Sequence, residues 1–135
     1  LVRGAEDGGA VVLCGAPQHG AVPAVEALSR WDPRWLAERE LTDRRALALP
    51  PTTVMALVTG DRRAVSAVAG GELPDEVVTL GPVIAPDDTA RLVLRAPLTA
   101  GQALADHLLA VRRTATAKKV EDIVSIRMRV PDPTV

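Results

Sequence analysis

This chain has no phenylalanine and no tyrosine, and only two tryptophans among its 135 residues. A core without such rings has to come from valine, leucine, isoleucine and alanine, held by many small dispersion contacts. At 47% apolar residues there is enough material for one. Aromatic platforms for stacking nucleobases are equally scarce. The single cysteine, Cys14, excludes an internal disulfide and leaves a zinc site short of ligands. Neither sign of charge dominates: 16 basic and 17 acidic residues leave a formal net charge of −1. Affinity for nucleic acid cannot come from that total and needs a local basic patch. No apolar run approaches the roughly 20 residues of a membrane helix. Residues 1–9, LVRGAEDGG, lack the apolar stretch of a secretory signal. The absence of an initiator methionine suggests a piece of a longer protein, and a soluble cytoplasmic module without membrane contact is expected.

What is present falls into three parts: residues 1–31, 32–52 and 53–135. In the first, AVVLC at 10–14 is an all-apolar run between Gly9 and Gly15, which reads as a buried parallel-type strand. A loop and a short helix over 22–30 follow, giving half of a βαβ unit. In the second, Asp32 is a good N-cap, Pro33 suits the first helical position, and Pro50-Pro51 cannot continue a helix. One amphipathic connecting helix is predicted there. Arg39–Asp43 and Glu40–Arg44 are opposite charges four apart on it, and Trp31 with Trp35 is placed to fix the entry of the chain.

The third part is the most regular. TTVMALVT at 52–59 is rich in β-branched residues and reads as a strand, after which Asp61 caps a helix that Gly70-Gly71 ends. The stretch 76–85 is a strand interrupted by Gly81-Pro82, so pairing there is expected to break or to lie at an edge. RLVLRA at 91–96 alternates, Thr99 and Gln102 have capping-box spacing, and Leu104, Leu108, Val111 and Ala115 form a helical stripe. IVSIRMRV at 123–130 alternates again. The pattern is βαββαβ, an α+β, ferredoxin-like four-stranded antiparallel sheet with two helices on one face.

No catalytic constellation stands out. Cys14 and His19 read better as a small buried thiol and a loop imidazole than as a catalytic pair. His107 reads as a solvated helix residue, and Asp87-Asp88 as a turn. There is no phosphate loop, because Gly8-Gly9 and Gly70-Gly71 lack the spacing and the lysine. If the leucines of 91–96 and Ile126 and Met128 face the helices, then Arg91, Arg95, Arg127 and Arg129 face the other way. Four guanidinium groups there would make a backbone-directed, salt-sensitive phosphate surface. The alternative is a set of solvated strand residues, or partners for the carboxylates of a neighbouring domain. That would leave a ferredoxin-like protein-interaction or regulatory module without nucleic-acid contact. Arg112, Arg113, Lys118 and Lys119 form a second basic group, at and beyond the end of the 104–115 stripe. Solvated charge that complements the helix dipole is its plainer reading.

The order of motifs adds a resemblance. Gly15-Ala16-Pro17-Gln18-His19 precedes Arg39-Glu40-Leu41-Thr42-Asp43-Arg44-Arg45, then Leu49-Pro50-Pro51, Leu80-Gly81-Pro82, Arg95 and Asp132-Pro133. Together these resemble the carboxyl-terminal part of the PriA family, the primosomal protein N′ of bacterial replication restart. In that family an E-L-x-x-R-R-x-x-x-x-P-P segment joins the second helicase lobe to the last domain. The resemblance implies that residues 1–31 are the end of that lobe and 53–135 the last domain. It also implies binding of forked or single-stranded DNA, of single-strand-binding protein and of other primosome proteins, with Arg112, Arg113, Lys118 and Lys119 suited to an acidic tail. Typical members are ATP-driven 3′ to 5′ helicases. Here residues 1–9 lack the Gly- and Arg-rich last helicase motif, as in the motor-degenerate proteins of high-GC bacteria. Thr52 replaces an aromatic after the prolines, and Val130 replaces an aspartate. The family's ATP and zinc sites lie upstream, so no cofactor is expected in these residues.

Overall fold

The computed structural model of the chain describes residues 4–15, 22–117 and 124–128. Its elements are α1 (Pro23–Arg30), α2 (Pro33–Ala46), β1 (Thr53–Asp61), α3 (Arg62–Ala69), β2 (Val78–Ile84), β3 (Thr89–Pro97), α4 (Gly101–Ala117) and β4 (Ser125–Met128). Short 3₁₀ turns lie at Ala5–Asp7 and Leu98–Ala100. Two compact units divide inside α2, Leu1–Glu40 and Leu41–Val135.

In the first unit, α1 ends with Trp31 in the left-handed region (φ 55°), where its N–H bonds to the Leu28 carbonyl at 3.2 Å. The next N–H, of Asp32, bonds to Ala27 O at 2.8 Å, closing the helix as a glycine usually does. Asp32 then caps α2 by accepting the Trp35 N–H at 3.0 Å, as its sequence position predicts. Among the described residues the ion pairs of this unit are Glu26–Arg30 (2.7 Å) within α1 and Arg34–Glu38 (2.8 Å) within α2, not the two expected on α2. Arg39 stands over the Trp35 ring at 5.7 Å instead, and Arg30 lies at 5.9 Å from the same ring. Arg44 donates to Pro50 O at 2.9 Å, tying the helix end to the double proline. Trp31 is 71% exposed. The run 10–14 forms no strand, and Val12 is 81% exposed. An apolar run becomes a strand only where a neighbour takes its N–H and C=O groups, and among the described residues none does. Cys14 is exposed as well.

In the second unit the strand order is β2-β3-β1-β4, with every pairing antiparallel. That is the ferredoxin-like order expected from βαββαβ. Register puts Ala56 opposite Leu94 and Met128, and Val58 opposite Leu92 and Ile126. Opposed residues share a face, and this one is covered by Val65 and Val68 of α3 and Leu104 and Leu108 of α4. Each buried leucine contributes about 1.5–3 kcal/mol of transfer free energy. Asp61 caps α3 by accepting from the N–H groups of Arg63 (2.7 Å) and Ala64 (3.4 Å).

β2 is an edge strand, and its ladder shifts between Leu80 and Val83. Gly81 there has φ 103°, and a Cβ would stand 3.0 Å from Val83 N and 3.1 Å from Arg91 O. Only glycine fits that bulge. The capping box at Thr99 and Gln102 does not form. A 3₁₀ turn takes residues 98–100, and the Gln102 amide instead donates to Asp106 at 2.9 Å, four residues on. Among the described residues no helix is long and apolar enough to cross a membrane.

Candidate nucleic-acid interface

β3 alternates because both sides of the sheet make demands on it: Ala90, Leu92, Leu94 and Ala96 are buried, while Arg91, Val93 and Arg95 point the other way. Register then composes the second face row by row. Arg91 is opposite Thr59, which is opposite Ser125. Val93 is opposite Leu57, which is opposite Arg127, and Arg95 is opposite Met55. Three of the four sequence-predicted arginines thus share the face turned from the helices. Arg129 lies outside the described residues.

That face is not bare, as the alternation alone suggested. Met55 and Leu57, at its centre, are each 1% exposed. Their strand is central, and its neighbours place Arg95, Val93 and Arg127 directly against them. Arginine stems cover apolar surface while the guanidinium stays in water. From the β2 side, Val78, Leu80 and Val83 join the same face and are exposed. With strands about 4.8 Å apart and about 3.4 Å per residue, Arg91, Arg95 and Arg127 stand at backbone separations of about 12–14 Å. They ring an apolar centre rather than forming a continuous cationic track.

Two of the three come together in a cavity of about 390 Å³, where Arg91 and Arg127 meet Thr59, Thr89 and Ser125. Nothing in the sequence spacing shows this, because Arg127 and Arg91 reach it from strands on either side of β1. Close by, Asp87 Oδ1 accepts from the Thr89 hydroxyl at 2.6 Å and the Thr89 N–H at 3.1 Å. Those bonds, with a smaller contribution from the Arg91 charge, hold its carboxyl below the usual carboxylate range. Asp87-Asp88 is therefore a turn, as expected. Asp88 takes the left-handed position (φ 63°) and sits 3.9 Å from Arg62.

The second basic group is not brought to this surface. Arg112 and Arg113 are exposed near the end of α4, on the helix layer, and Lys118 and Lys119 lie outside the described residues. His107 departs from its expected place. It is half-buried beside Val68 and Val111 in a groove of about 470 Å³. Three residues after Leu104 and four before Val111, it flanks the apolar stripe rather than opposing it. His19 lies outside the described residues. Among the described residues no group of three or more His, Cys, Asp or Glu side chains is placed to hold a metal ion.

Residues 45–133 match the family model described as the primosomal protein N C-terminal domain. The chain is similar to the probable replication restart protein PriA of Mycobacterium leprae (strain TN), 35% identical over 140 residues, covering 90% of this chain and 21% of that protein. It is likewise 35% identical over 96 residues to the probable replication restart protein PriA of Mycobacterium tuberculosis (strain ATCC 25618 / H37Rv), covering 67% of this chain and 14% of that protein. The chain therefore spans at most 21% of the length of these relatives. With the match extending over residues 45–133, the chain belongs to the primosomal protein N C-terminal domain family.

Proposed function

We propose that this chain is the DNA-holding C-terminal region of a PriA-type replication-restart protein, non-catalytic by itself. In this role the sheet face turned from the helices, through Arg91, Arg95, Arg127 and Arg129, contacts the backbone of forked or single-stranded DNA. Arg112, Arg113, Lys118 and Lys119 meet the acidic tail of single-strand-binding protein, which brings the other primosome proteins to a cytoplasmic fork. Residues 1–31 end a helicase-like lobe, 32–52 connect it, and 53–135 form the last domain. The family's ATP and zinc fall to parts of the parent outside these residues.

The observation that carries the reading is the register that sets three guanidinium groups on one face in a chain of this family. Fluorescence anisotropy with branched and single-stranded oligonucleotides tests it. Neutralising two to three phosphates predicts a log–log salt slope of roughly −1.5 to −2 for single strands and −2 to −3 for duplex, at about −0.7 and −0.9 per phosphate. No salt-dependent binding, or binding unchanged in Arg91→Ala with Arg127→Ala, would remove the DNA role.

A second reading is favoured by the exposed Val78, Leu80 and Val83 on the same face. Apolar edge residues beside a ring of arginines suit a protein partner with an acidic rim. On that reading Leu80→Asp abolishes partner capture and leaves oligonucleotide affinity unchanged.

A further inference from the structure

The three sheet arginines are not equivalent, and the difference lies in what surrounds them. The cavity of about 390 Å³ at the end of β1 is lined, among the described residues, by Arg91 and Arg127, by the hydroxyl residues Thr59, Thr89 and Ser125, and by Gly60 and Ala90. The Thr89 hydroxyl hydrogen is already given to Asp87 at 2.6 Å. Thr59 and Ser125 are opposed across the β1–β4 ladder, and Thr59 is opposed to Arg91 across β1–β3, so the three form one row. Arg127 stands two residues further along β4 on the same face. Such a set offers donors of both kinds an oxyanion needs, charged and neutral, from fixed strand positions. Arg95 lies outside the cavity, opposite Met55.

We infer that this cavity is a phosphate pocket that takes one phosphodiester group of a nucleic-acid backbone. Arg91 and Arg127 donate to its non-bridging oxygens, and the Thr59 and Ser125 hydroxyls donate to the same group. Arg95 adds attraction without belonging to the pocket. The inference rests on the DNA-holding reading, and it adds two neutral residues that charge alone never selects.

The test uses the 135-residue chain with two probes, inorganic phosphate followed by amide NMR, and a single-stranded oligothymidylate followed by anisotropy. Phosphate is expected to shift the amide signals of Thr59, Arg91, Ser125 and Arg127 and to leave that of Arg113 in place. Thr59→Val with Ser125→Ala is expected to weaken the oligonucleotide about fivefold with an unchanged salt slope, because hydroxyls neutralise no phosphate. Arg95→Ala is expected to lower the slope instead. Ser125→Ala alone, at an exposed edge position, keeps the test valid should Thr59→Val lower the melting temperature. Oligonucleotide binding that ignores the hydroxyl variants would overturn the pocket and leave the DNA reading standing. Phosphate shifts without oligonucleotide binding would overturn the DNA reading and, with it, the assignment of the pocket to a nucleic-acid backbone. Loss of neither signal in Arg91→Ala with Arg127→Ala would overturn both.

Discussion

Two apolar runs in this chain meet opposite fates. Val11, Val12 and Leu13 are exposed and irregular, whereas Met55, Ala56, Leu57 and Val58 are buried without a break. Their local chemistry is nearly the same. What separates them is company: β1 has β3 on one side, β4 on the other, helices on one face and long arginine stems on the second. A strand is a property of a pair, and burial on both faces is a property of a sheet with layers.

The sharpest way to break this comparison is to truncate both runs. Leu57→Ala should cost about 2–5 kcal/mol in urea denaturation, while Val12→Ala should stay within about 0.5 kcal/mol. Equal effects would mean that the two runs are packed alike. On the functional side, Arg91→Ala with Arg127→Ala should weaken oligonucleotide binding at least tenfold, whereas Arg112→Ala with Arg113→Ala leaves it unchanged. Anisotropy at fixed salt reads the difference, since two charge-assisted contacts are lost in one case and none in the other.

Smaller effects sharpen the contrast between backbone order in the second unit and its absence in the run 10–14. Asp61→Ala removes a cap with two N–H bonds and should lower stability by about 1 kcal/mol, read as a drop in melting temperature. The smallest effect is at Asp87. Its folded-state pKa lies below the usual carboxylate range, first because of the Thr89 hydroxyl and then the Thr89 N–H. A depressed carboxyl stabilises the fold above its unfolded value, and that contribution is lost as pH falls through the folded one. Acidification below about pH 4 should therefore weaken the β2–β3 turn. In Thr89→Val the Asp87 carboxyl should titrate closer to its ordinary value, as followed by carboxyl-carbon NMR.

Much of the fold was legible because its signals are local. Asp32 and Asp61 cap helices wherever a free N–H follows, and Arg91–Ala96 alternates because a two-faced strand must. Gly81-Pro82 announced an edge, since a missing N–H and a bulge are tolerated only there. Other readings failed where a competitor was out of view. The 3₁₀ turn at Leu98–Ala100 displaced the capping box, and His107, read as solvated, is half-buried beside the apolar stripe. For the candidate site, alternation placed the arginines on one side. It could not pair Arg91 with Arg127, nor bring Thr59 and Ser125 beside them.

Composition and period by themselves determined a ringless aliphatic core, the βαββαβ order and the shared face of Arg91, Arg95 and Arg127, because those follow from side-chain chemistry and the two-residue repeat. The tertiary structure alone decided which apolar run became a strand, that Met55 and Leu57 sit buried under the guanidinium face, and which charges share a cavity. Those depend on strand order and register, which bring together residues distant along the chain through hydrogen-bond pairing that no local pattern encodes.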